Sequence, residues 1–446
     1  MINQNDTICA QITPPGFSAI AVIRISGKDA ISIVAKHFKP AKKLLQAQSH
    51  QILHGLFTNP AGQNIDEVLL SVFRCPRSYT GEDCVEISCH GNPNLVNRIM
   101  GALLLQARMA NPGEFTLRAY LNGKLDLSQA EAVGDLIQAK AAKAESAALM
   151  QLQGNLSQHL QGILQRLTDA RLRCELAIDF ADQDLPQIDT DDLKSRIDSL
   201  LAEATELAVS GEQGKIIREG IKVCLAGAPN AGKSSLFNAF LQQNRAIVTP
   251  HPGTTRDYLE ESISLSGFPL VLYDTAGLRI SESEIESQGI AQSHALMQQA
   301  DLILYLVDST QLAESPLIDI PESLSSKTIV VYSKADLLPA QPLTGVSCSV
   351  RQPEGLKSIS ESILARLLLS DELLLKPLVT NVRHLAALSQ CKDFLRGALA
   401  ALELGSGYEF IAFELSSASN ALEEILGLIT PDDLLESIFS NFCIGK

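Results

Sequence analysis

A glycine-rich loop in the middle of the chain constrains the fold more than any other feature of the sequence. Residues 227–234 read Gly-Ala-Pro-Asn-Ala-Gly-Lys-Ser and match the pattern G-x-x-x-x-G-K-[ST]. The loop follows Ile221–Ala226, an apolar run typical of a buried strand, and precedes residues with helical spacing. Four fixed positions would arise by chance on the order of once in a hundred chains of this length. The loop therefore predicts a parallel α/β domain that binds phosphate groups.

The residue types in this loop suit the chemistry of a triphosphate. Backbone N–H groups of a glycine-rich loop close around phosphate oxygens. Lys233 would place a point charge on the β and γ groups, and Ser234 would offer its hydroxyl to Mg²⁺. The predicted nucleotide contacts in the loop are Asn230, Ala231, Gly232, Lys233, Ser234 and Ser235.

Three further motifs follow in the order found in GTPases: Gly253–Asp257 (Gly-Thr-Thr-Arg-Asp), Asp274–Gly277 (Asp-Thr-Ala-Gly) and Ser333–Asp336 (Ser-Lys-Ala-Asp). Thr255 would complete the Mg²⁺ shell that Ser234 begins. Asp336 would accept two hydrogens from the guanine edge, which adenine cannot supply. The predicted nucleotide contacts outside the first loop are Thr249, Pro250, His251, Pro252, Gly253, Thr254, Thr255, Asp274, Thr275, Ala276, Gly277, Ser333, Lys334, Asp336, Ser347, Cys348 and Ser349.

Two positions depart from the usual GTPase pattern. Ser333 stands where the base-reading motif has Asn, so we expect GTP to be preferred over ATP but bound more weakly than by an Asn version. Leu278 stands where Ras-like enzymes have the Gln that orients the attacking water, and leucine cannot hydrogen-bond. The charged candidates for that task are Arg256, Arg279, Glu282, Glu284 and Glu286.

The chain changes character along its 446 residues, which at about 150 residues per domain predicts several domains. Short apolar runs at the start predict an α/β domain. Leucines and isoleucines at helical spacing then predict long packed helices, with one stripe running from Leu149 to Leu167. Sequence with helical spacing of apolar residues flanks the nucleotide domain on both sides. This predicts that the nucleotide domain is inserted into an all-α domain. The expected domains are 1–121 (N-terminal), 122–215 (helical, first part), 216–372 (Ras-like P-loop α/β GTPase domain) and 373–446 (helical, second part).

Composition excludes several classes of protein. Lys and Arg total 36 against 51 Asp and Glu, a net charge of −15 that argues against an extended basic surface for nucleic acid. The nine cysteines are scattered without C-x-x-C pairs, which fits neither a disulfide framework nor a zinc ribbon. The first residues do not resemble a signal peptide, and no apolar stretch reaches the roughly 18 residues of a membrane helix. We expect a cytoplasmic protein with no membrane contact.

The chain resembles the tRNA modification GTPase MnmE (TrmE) family in four features. They are the phosphate-binding loop, the Gly-Thr-Thr-Arg-Asp motif, the flanking predicted helices and Phe442–Lys446 (Phe-Cys-Ile-Gly-Lys). The resemblance covers essentially the whole chain. It implies a GTP hydrolase activated by K⁺ and dimeric through its N-terminal domains. It also implies an FAD-containing partner, MnmG, in a heterotetramer-type complex that places an aminomethyl or carboxymethylaminomethyl group on the wobble uridine of certain tRNAs.

The resemblance assigns roles in hydrolysis. It implies that the Asn230 side chain binds K⁺ together with backbone carbonyls at Thr249 and His251, with Thr254 nearby. The cation would supply the positive charge that other GTPases take from an arginine finger. It also implies that Glu286 orients the attacking water. The predicted catalytic residues are Lys233, Arg256 and Glu286, and the predicted Mg²⁺ ligands are Ser234 and Thr255.

The N-terminal region resembles the folate-binding module of one-carbon enzymes, which implies 5-formyltetrahydrofolate or a related tetrahydrofolate as one-carbon donor. The matching residues are Arg24, Glu86, Lys124 and Lys446. A glutamate can pair with the pterin donors, whereas lysine and arginine suit the carboxylates of the glutamyl tail. Without the resemblance, each would be interpreted as an ordinary surface ion pair. Cys443 is a possible further site residue whose chemical role stays open.

Two other functions remain open at this point. One is a regulatory GTPase switch in ribosome assembly, which would share the nucleotide motifs but usually adds a basic RNA-binding module. The other is a dimeric scaffold with a degenerate nucleotide site, which the intact Lys233, Ser234, Thr255, Asp274 and Asp336 disfavour. The charge of −15 suggests that positive surface for tRNA comes from the partner or from a local patch.

Overall fold

The computed structural model describes residues 6–179, 189–244, 259–274, 295–311, 322–337 and 345–446. It divides into two compact units. Unit 1 comprises Met1–Gly134 and Glu423–Lys446, and unit 2 comprises Asp135–Leu422. Within the described ranges, no helix is long and apolar enough to cross a membrane.

Unit 1 is built on a mainly antiparallel sheet. Its strands are β1 Ile8–Gln11, β2 Ser18–Ser26, β3 Phe38–Lys39, β4 Gln51–Thr58, β5 Asn64–Phe73, β6 Cys84–Gly91 and β7 Arg108–Met109. The spatial order is β3-β4-β5-β6-β2-β1-β7, with only β1 and β7 parallel among these pairs. Its helices are α1 Ala30–His37, α2 Ala41–Gln46, α3 Pro93–Leu103 and α4 Glu114–Leu121.

Alternation along the strands decides which face of this sheet is covered. In β5, Val68, Leu70 and Val72 are buried, whereas Leu69 between them is exposed. Because successive side chains of a strand point to opposite faces, one face packs on α1 and α3 and the other faces outward. Arg24 and Glu86 lie on this outward face, where Arg24 is nevertheless buried, with the rings of Tyr79 and Phe115 beside its guanidinium.

The end of the chain packs against α4. Helix α14, Asp432–Ser440, contributes Phe439, which is buried with Leu117 and Leu127. The carbonyl oxygens of Cys443 and Lys446 accept from the N–H groups of Gly113 and Phe115, at 3.4 and 3.2 Å. These contacts satisfy N–H groups at the first turn of α4, which no intrahelical carbonyl can reach.

A buried ion network joins distant segments of unit 1. Arg118, 1% exposed, donates from Nη2 to Asp6 at 2.7 Å and to Glu114 at 3.0 Å, and from Nη1 to Glu82 at 3.1 Å. Arg108 also pairs with Asp6 and Glu114. Burial alone would raise the pKa of the Asp6 and Glu114 carboxyls, but the hydrogen bonds from these arginines outweigh it, so both pKa values are lowered.

Helices dominate the first part of unit 2. From residue 127 the chain forms α5 Leu127–Gln138, of which the residues up to Gly134 belong to unit 1. It then forms α6 Ala142–Leu152, α7 Asn155–Asp179 and α8 Thr190–Glu219. Further on come α12 Val382–Glu403 and α13 Tyr408–Leu426. Gly211 of α8 permits a close approach of α12, because a Cβ there would lie 2.0 Å from Cδ2 of Leu385.

The single helical stripe predicted from Leu149 to Leu167 is wrong in one respect. It spans two helices, because α6 ends at Leu152 and α7 begins at Asn155, with Gly154 between them at φ +87°. Leu149 is 43% exposed, whereas Leu156, Leu160, Ile163 and Leu167 are buried. A positive φ is strained for residues other than glycine, so Gly154 lets the chain turn where the apolar spacing continues.

The nucleotide-binding part of unit 2 is the predicted parallel α/β domain. Its strands are β8 Ile221–Gly227, β9 Leu259–Leu265, β10 Phe268–Asp274, β11 Leu302–Asp308, β12 Thr328–Ser333 and β13 Val346–Ser347. Their order is β13-β12-β11-β8-β10-β9, and of these pairs only β9 with β10 is antiparallel. Its described helices are α9 Lys233–Asn244, α10 Glu322–Ser325 and α11 Pro353–Arg366, with a further helical segment at 295–299. Ala144, Ala147 and Ile217, from α6 and α8, share its core.

We predict that acid weakens unit 1 through its ion network. Since the folded pKa values of Asp6 and Glu114 are lowered, their stabilisation is present above the ordinary values of 3.8 and 4.5 and is lost as the pH falls below them. Glu114→Gln should destabilise unit 1 by about 3 kcal/mol at pH 7, because it removes one of the three carboxylates that balance the buried Arg118. It should also reduce the loss of stability as the pH falls below about 4.5. Hydrogen exchange of unit 1 amides measures both.

The matched control is Glu436→Gln, on the exposed side of α14. Surface changes of this kind usually alter the free energy of unfolding by about 0.5 kcal/mol or less. Equal hydrogen exchange in the two variants would contradict a stabilising role for the network.

Candidate functional site

The phosphate-binding loop connects the end of β8 to the start of α9. Gly227, Asn230 and Gly232 adopt positive φ values of +135°, +63° and +98°. A Cβ at Gly227 would lie 2.3 Å from the carbonyl oxygen of Leu306 on β11, so only glycine fits there. These conformations curl the loop so that it leads into the N-terminus of α9, where backbone N–H groups favour an anion.

Lys233 and Ser234 occupy the first turn of α9. Lys233 is 9% exposed, and its Nζ donates to the carbonyl oxygens of Gly227 at 2.7 Å and Ala228 at 2.8 Å. The ammonium is thus held across the loop, where phosphate oxygens can serve as its acceptors. Ser234 Oγ donates to Oδ2 of Asp274 at 3.3 Å. This hydroxyl and carboxylate are oxygen ligands of the type that Mg²⁺ prefers.

Strand register explains why Ser234 meets Asp274. Strands β8 and β10 run parallel, with Asp274 opposite Leu225, so the carboxyl end of β10 lies beside the start of the loop. Asp274 is 4% exposed. In the sequence, Asp274 stands at the end of an apolar run. The fold brings its carboxylate to the phosphate-binding loop, where the Mg²⁺ ion is predicted to bind.

A cavity of about 230 Å³ joins the loop to the base-reading motif. Gly232 and Ser235 line one side, and Ser333, Lys334 and Asp336 line another. Asp336 is partly exposed, with Oδ2 3.6 Å from Nη1 of the largely exposed Arg351. The cavity therefore offers a carboxylate acceptor beside the phosphate-binding loop, as a guanine site requires.

The hydroxyl of Ser333 takes over part of the bracing expected from Asn. Its Oγ lies 2.7 Å from the carbonyl oxygen of Ala231 and 3.2 Å from that of Val307. A single O–H can be directed fully at only one of these carbonyls, whereas an Asn amide has two N–H donors. The shorter contact ties the base-reading motif to the phosphate-binding loop, and the expected weaker affinity relative to Asn stays a prediction.

Of the predicted contacts Ser347, Cys348 and Ser349, Cys348 lines the cavity, whereas the two serines are not among its lining residues. The Cys348 N–H donates to Tyr332 O at 2.8 Å, and its carbonyl accepts from the Ala335 N–H at 3.2 Å. Burial raises the pKa of the Cys348 thiol to about 11, so it is an unreactive part of the wall. Ser349 is also buried, whereas Ser347 is exposed.

Sequence reasoning did not single out two residues beside this cavity, Arg351 and Asp308. Arg351 lies in a turn, where charged residues are commonplace. Asp308 is the last residue of β11 and its Oδ2 accepts from Lys334 Nζ at 2.5 Å. One signal for Asp308 was available in the sequence. It is a carboxylate at the end of an apolar run that lies between the runs leading to the phosphate-binding loop and to the base-reading motif.

Many of the predicted residues lie outside the described ranges. They include Glu286 and Arg256 of the catalytic set, the Mg²⁺ ligand Thr255, and the K⁺ candidates Thr249, His251 and Thr254. The predicted nucleotide contacts Pro250, Pro252, Gly253, Thr275, Ala276 and Gly277 and the alternative candidates Arg279, Glu282 and Glu284 also lie there, as does Leu278.

In unit 1, Arg24 and Glu86 are cross-strand neighbours on β2 and β6. Arg24 Nε and Nη2 donate to Glu86 Oε1 at 2.9 and 2.7 Å. The guanidinium also lies 5.1 Å from the ring centre of Tyr79 and 5.4 Å from that of Phe115. Its Nη1 is buried without a hydrogen-bond partner among the described residues. Arg24 can therefore donate to a further acceptor.

Lys446 approaches the same pair. Burial, and secondarily the positive charge of Arg24, lower the pKa of the Lys446 ammonium, while Glu86 opposes them. Gly445 has φ +101°, and a Cβ there would lie 2.9 Å from the carbonyl oxygen of Gln11, so glycine lets the tail lie close to the β1–β2 connection. We call Arg24, Glu86 and Lys446 the tail cluster.

The other two predicted residues of unit 1 are more exposed. Lys124 Nζ donates to the carbonyl oxygen of Pro76 at 3.2 Å, at the start of the loop that carries Tyr79. Cys443 is exposed. Its thiol is accessible, and its role stays open.

A larger cavity in unit 2, about 450 Å³, contains none of the predicted residues. It lies between the helices and strands β9 and β10, and its polar groups engage one another. Arg218 Nε donates to Asp135 Oδ1 at 2.8 Å, and Lys140 Nζ donates to Ser262 Oγ at 3.2 Å. It is separate from the nucleotide cavity, whose lining residues differ.

We predict that Ser333→Ala weakens nucleotide binding by about tenfold or less, since it removes one buried hydrogen bond of about 1 kcal/mol to the phosphate-binding loop. Ser333→Asn should bind at least as tightly as the wild type. Calorimetric titration with GTP and ATP measures both affinities. Equal affinity of the wild type for GTP and ATP would refute the predicted base preference.

Comparison with known proteins covers both units. A family model described as the MnmE helical domain matches residues 127–443, and one described as the N-terminus of the GTP-binding protein TrmE matches residues 7–124. The tRNA modification GTPase MnmE of Moorella thermoacetica is 42% identical over 466 residues, covering 99% of this chain and 100% of that protein. The MnmE of Aquifex aeolicus is 40% identical over 450 residues, covering 99% of this chain and 100% of that protein.

Among solved structures, the G domain of the T. maritima FeoB iron transporter is similar to part of the chain. It is 27% identical and covers 33% of this chain and 98% of its own, with a TM-score of 0.23, too low to support any argument. The full-length relatives and the two family models are sufficient: the chain belongs to the MnmE family of tRNA modification GTPases.

Proposed function

We propose that this protein is a K⁺-activated, Mg²⁺-dependent GTPase that acts with an FAD-containing MnmG partner to modify the wobble uridine of certain tRNAs. The modification is a carboxymethylaminomethyl or aminomethyl group, and 5-formyltetrahydrofolate or a related tetrahydrofolate supplies one carbon. The observation that carries the proposal is the tail cluster, which is proposed to bind the folate. A regulatory switch protein would need no folate site. The regulatory switch in ribosome assembly loses ground further, since the MnmE relatives match along the entire chain.

The nucleotide half of the proposal draws on charge and geometry. Lys233 supplies positive charge to the phosphates, Ser234 and Thr255 supply oxygen ligands for Mg²⁺, and Asp274 holds that ion through water. Asp336 accepts from guanine. The K⁺ role of Asn230 is supported by its exposed side chain in a loop of positive φ, which leaves the amide oxygen accessible to a cation. Glu286 is proposed to orient the attacking water and Arg256 to support the same step.

The folate half draws on complementary groups in the tail cluster. A pterin presents N–H donors that a carboxylate such as Glu86 can accept, and the glutamyl tail presents carboxylates for Arg24, Lys446 and Lys124. The Nη1 of Arg24, which has no hydrogen-bond partner within the described part of the chain, supports an acidic ligand. Tyr79 and Phe115 beside the guanidinium offer flat apolar surface to an aromatic ring.

A homodimer through unit 1 is supported by the outward face of its sheet. Ile20, Ile52 and Leu69 on this face are 60%, 70% and 46% exposed. Exposed apolar patches of this kind mark protein interfaces. Register places Leu69 opposite Ser88 and Arg24 opposite Glu86 on the same strand β6, so a dimer built on this face would adjoin the tail cluster. We propose the cytoplasm as its compartment.

The contact with tRNA is proposed to depend on the partner or on a local basic patch, because the net charge of −15 opposes binding to a phosphate backbone. Strong tRNA binding by this chain alone that is insensitive to salt would contradict that part of the proposal.

The proposal predicts separable defects in a reconstituted reaction with tRNA, the MnmG partner, GTP and 5-formyltetrahydrofolate. Glu86→Ala should lower folate affinity on the order of tenfold or more, since it removes a charged acceptor. It should reduce wobble-uridine modification while GTP hydrolysis persists. Folate binding is measured by calorimetry and modification by mass spectrometry of tRNA nucleosides.

Glu436→Ala, an exposed acid on α14, is the matched control and should leave both readouts unchanged. Unchanged folate affinity in Glu86→Ala would sink the folate assignment. If the wild-type protein and its partner hydrolyse GTP fully but do not modify tRNA, the proposed modification reaction is contradicted.

A further inference from the structure

A buried acid behind the nucleotide cavity has no role in the assignments above. Strands β11 and β12 run parallel and end side by side, with Asp308 opposite Ser333. Asp308 is 7% exposed. Its position puts a carboxylate directly behind the base-reading motif, which begins at Ser333, the last residue of β12, and continues through Lys334 to Asp336.

Both oxygens of this carboxylate have defined partners. Oδ1 accepts from the Thr310 N–H at 3.0 Å and from its hydroxyl at 2.7 Å, and Oδ2 accepts from Lys334 Nζ at 2.5 Å. Burial by itself would raise the pKa of Asp308, but the bonds from Lys334 and Thr310 outweigh it and lower the pKa. The carboxylate is therefore charged at neutral pH, and its bond to the ammonium is charge-assisted.

Lys334 needs such an anchor. It has a positive φ of 56°, unusual for a residue other than glycine, and its side chain is 39% exposed while lining the nucleotide cavity. A lysine stem is flexible and carries about 2 kcal/mol of rotamer entropy. The bond to Asp308 draws the ammonium towards the strand ends and leaves the aliphatic stem as part of the cavity wall.

The nearest motif residue with an available carboxylate is Asp336, two positions along the chain. Its contact with Arg351 is 3.6 Å long, and that arginine side chain is 80% exposed, so the contact is weak. An ammonium released from Asp308 would be close enough in sequence to compete for Asp336. A base that depends on the same carboxylate would then bind less well.

We propose that Asp308 is a positioning residue for guanine recognition, which holds the Lys334 ammonium away from Asp336 and so keeps that carboxylate open to the base. The inference rests on the proposed role of Asp336 as the guanine reader. It adds a residue that acts through Lys334 and touches no nucleotide itself.

The test compares GTP with inosine triphosphate, which lacks the exocyclic amine that Asp336 would accept from. Asp308→Asn keeps the size of the side chain and an oxygen for Thr310 but loses the charge that holds Lys334. It should weaken GTP binding by about tenfold and inosine triphosphate binding by less, so the preference for GTP falls. Both affinities are measured by calorimetry on one preparation of the full chain, so any inactive fraction cancels in the ratio.

Two further variants separate positioning from simple structural damage. Asp308→Glu retains the charge and should preserve much of the GTP preference. Asp308→Asn combined with Lys334→Met should regain the preference lost in Asp308→Asn alone, because no loose ammonium remains. Glu361→Gln, in an exposed pair with Lys357 on α11, is the matched control and should change nothing.

An unchanged ratio in Asp308→Asn, or a loss that Lys334→Met does not relieve, would overturn the inference. Asp336→Asn separately tests the proposed role of Asp336 as the guanine reader. If Asp336→Asn collapses the GTP preference while Asp308→Asn does not, only the role of Asp308 fails. If Asp336→Asn leaves the preference intact, the proposed guanine reader fails and the role of Asp308 fails with it.

Discussion

Parallel pairing of β8 with its neighbours is the constraint on which the nucleotide site depends. Because β8 pairs in parallel with β10 and β11, and β11 with β12, the carboxyl ends of four strands lie at one edge of the sheet. Gly227, Asp274, Asp308 and Ser333 end these four strands. Residues more than a hundred positions apart thus meet without any long side chain having to reach across the fold. The close contact of Gly227 with Leu306 shows how tightly this edge is packed.

The tail cluster of unit 1 depends on both register and charge. Pairing of β2 with β6 places Arg24 opposite Glu86, whereas the loop that carries Tyr79 and the start of α4 lie outside these strands. The network of Arg108 and Arg118 with Asp6, Glu82 and Glu114 ties those segments together. The charge of the buried Arg118 is balanced while Glu82 of the loop and Glu114 at the start of α4 stay in place. The network therefore favours one conformation of the loop that carries Tyr79 and of the α4 start that carries Phe115.

Local patterns predicted the parts of the structure that local chemistry decides. The apolar runs around Leu270, Leu302 and Thr328 are strands because their length and flanking turns allow little else. The break at Gly154 could not be predicted from spacing, because the apolar stripe continues with similar steps on both sides. Arg118 and Asp6 are 112 positions apart, and nothing in either neighbourhood indicates the other. The hydrogen bond from Ser333 to Ala231 could not be predicted either. Serine in place of asparagine shows which hydrogen bonds are lost, but not which new bond compensates for them.

The cation proposed to bind beside Asn230 would supply the charge that completes this GTPase site. The direct measurement is the rate of GTP hydrolysis in K⁺ and in Na⁺ at equal ionic strength, with Asn230→Ala, Glu286→Ala and the exposed Asn238→Ala as control on α9. Hydrolysis should be at least about tenfold faster in K⁺, and this acceleration should be lost in the first two variants and kept in the control. Equal rates in the two salts, or K⁺ dependence that survives Asn230→Ala, would contradict it.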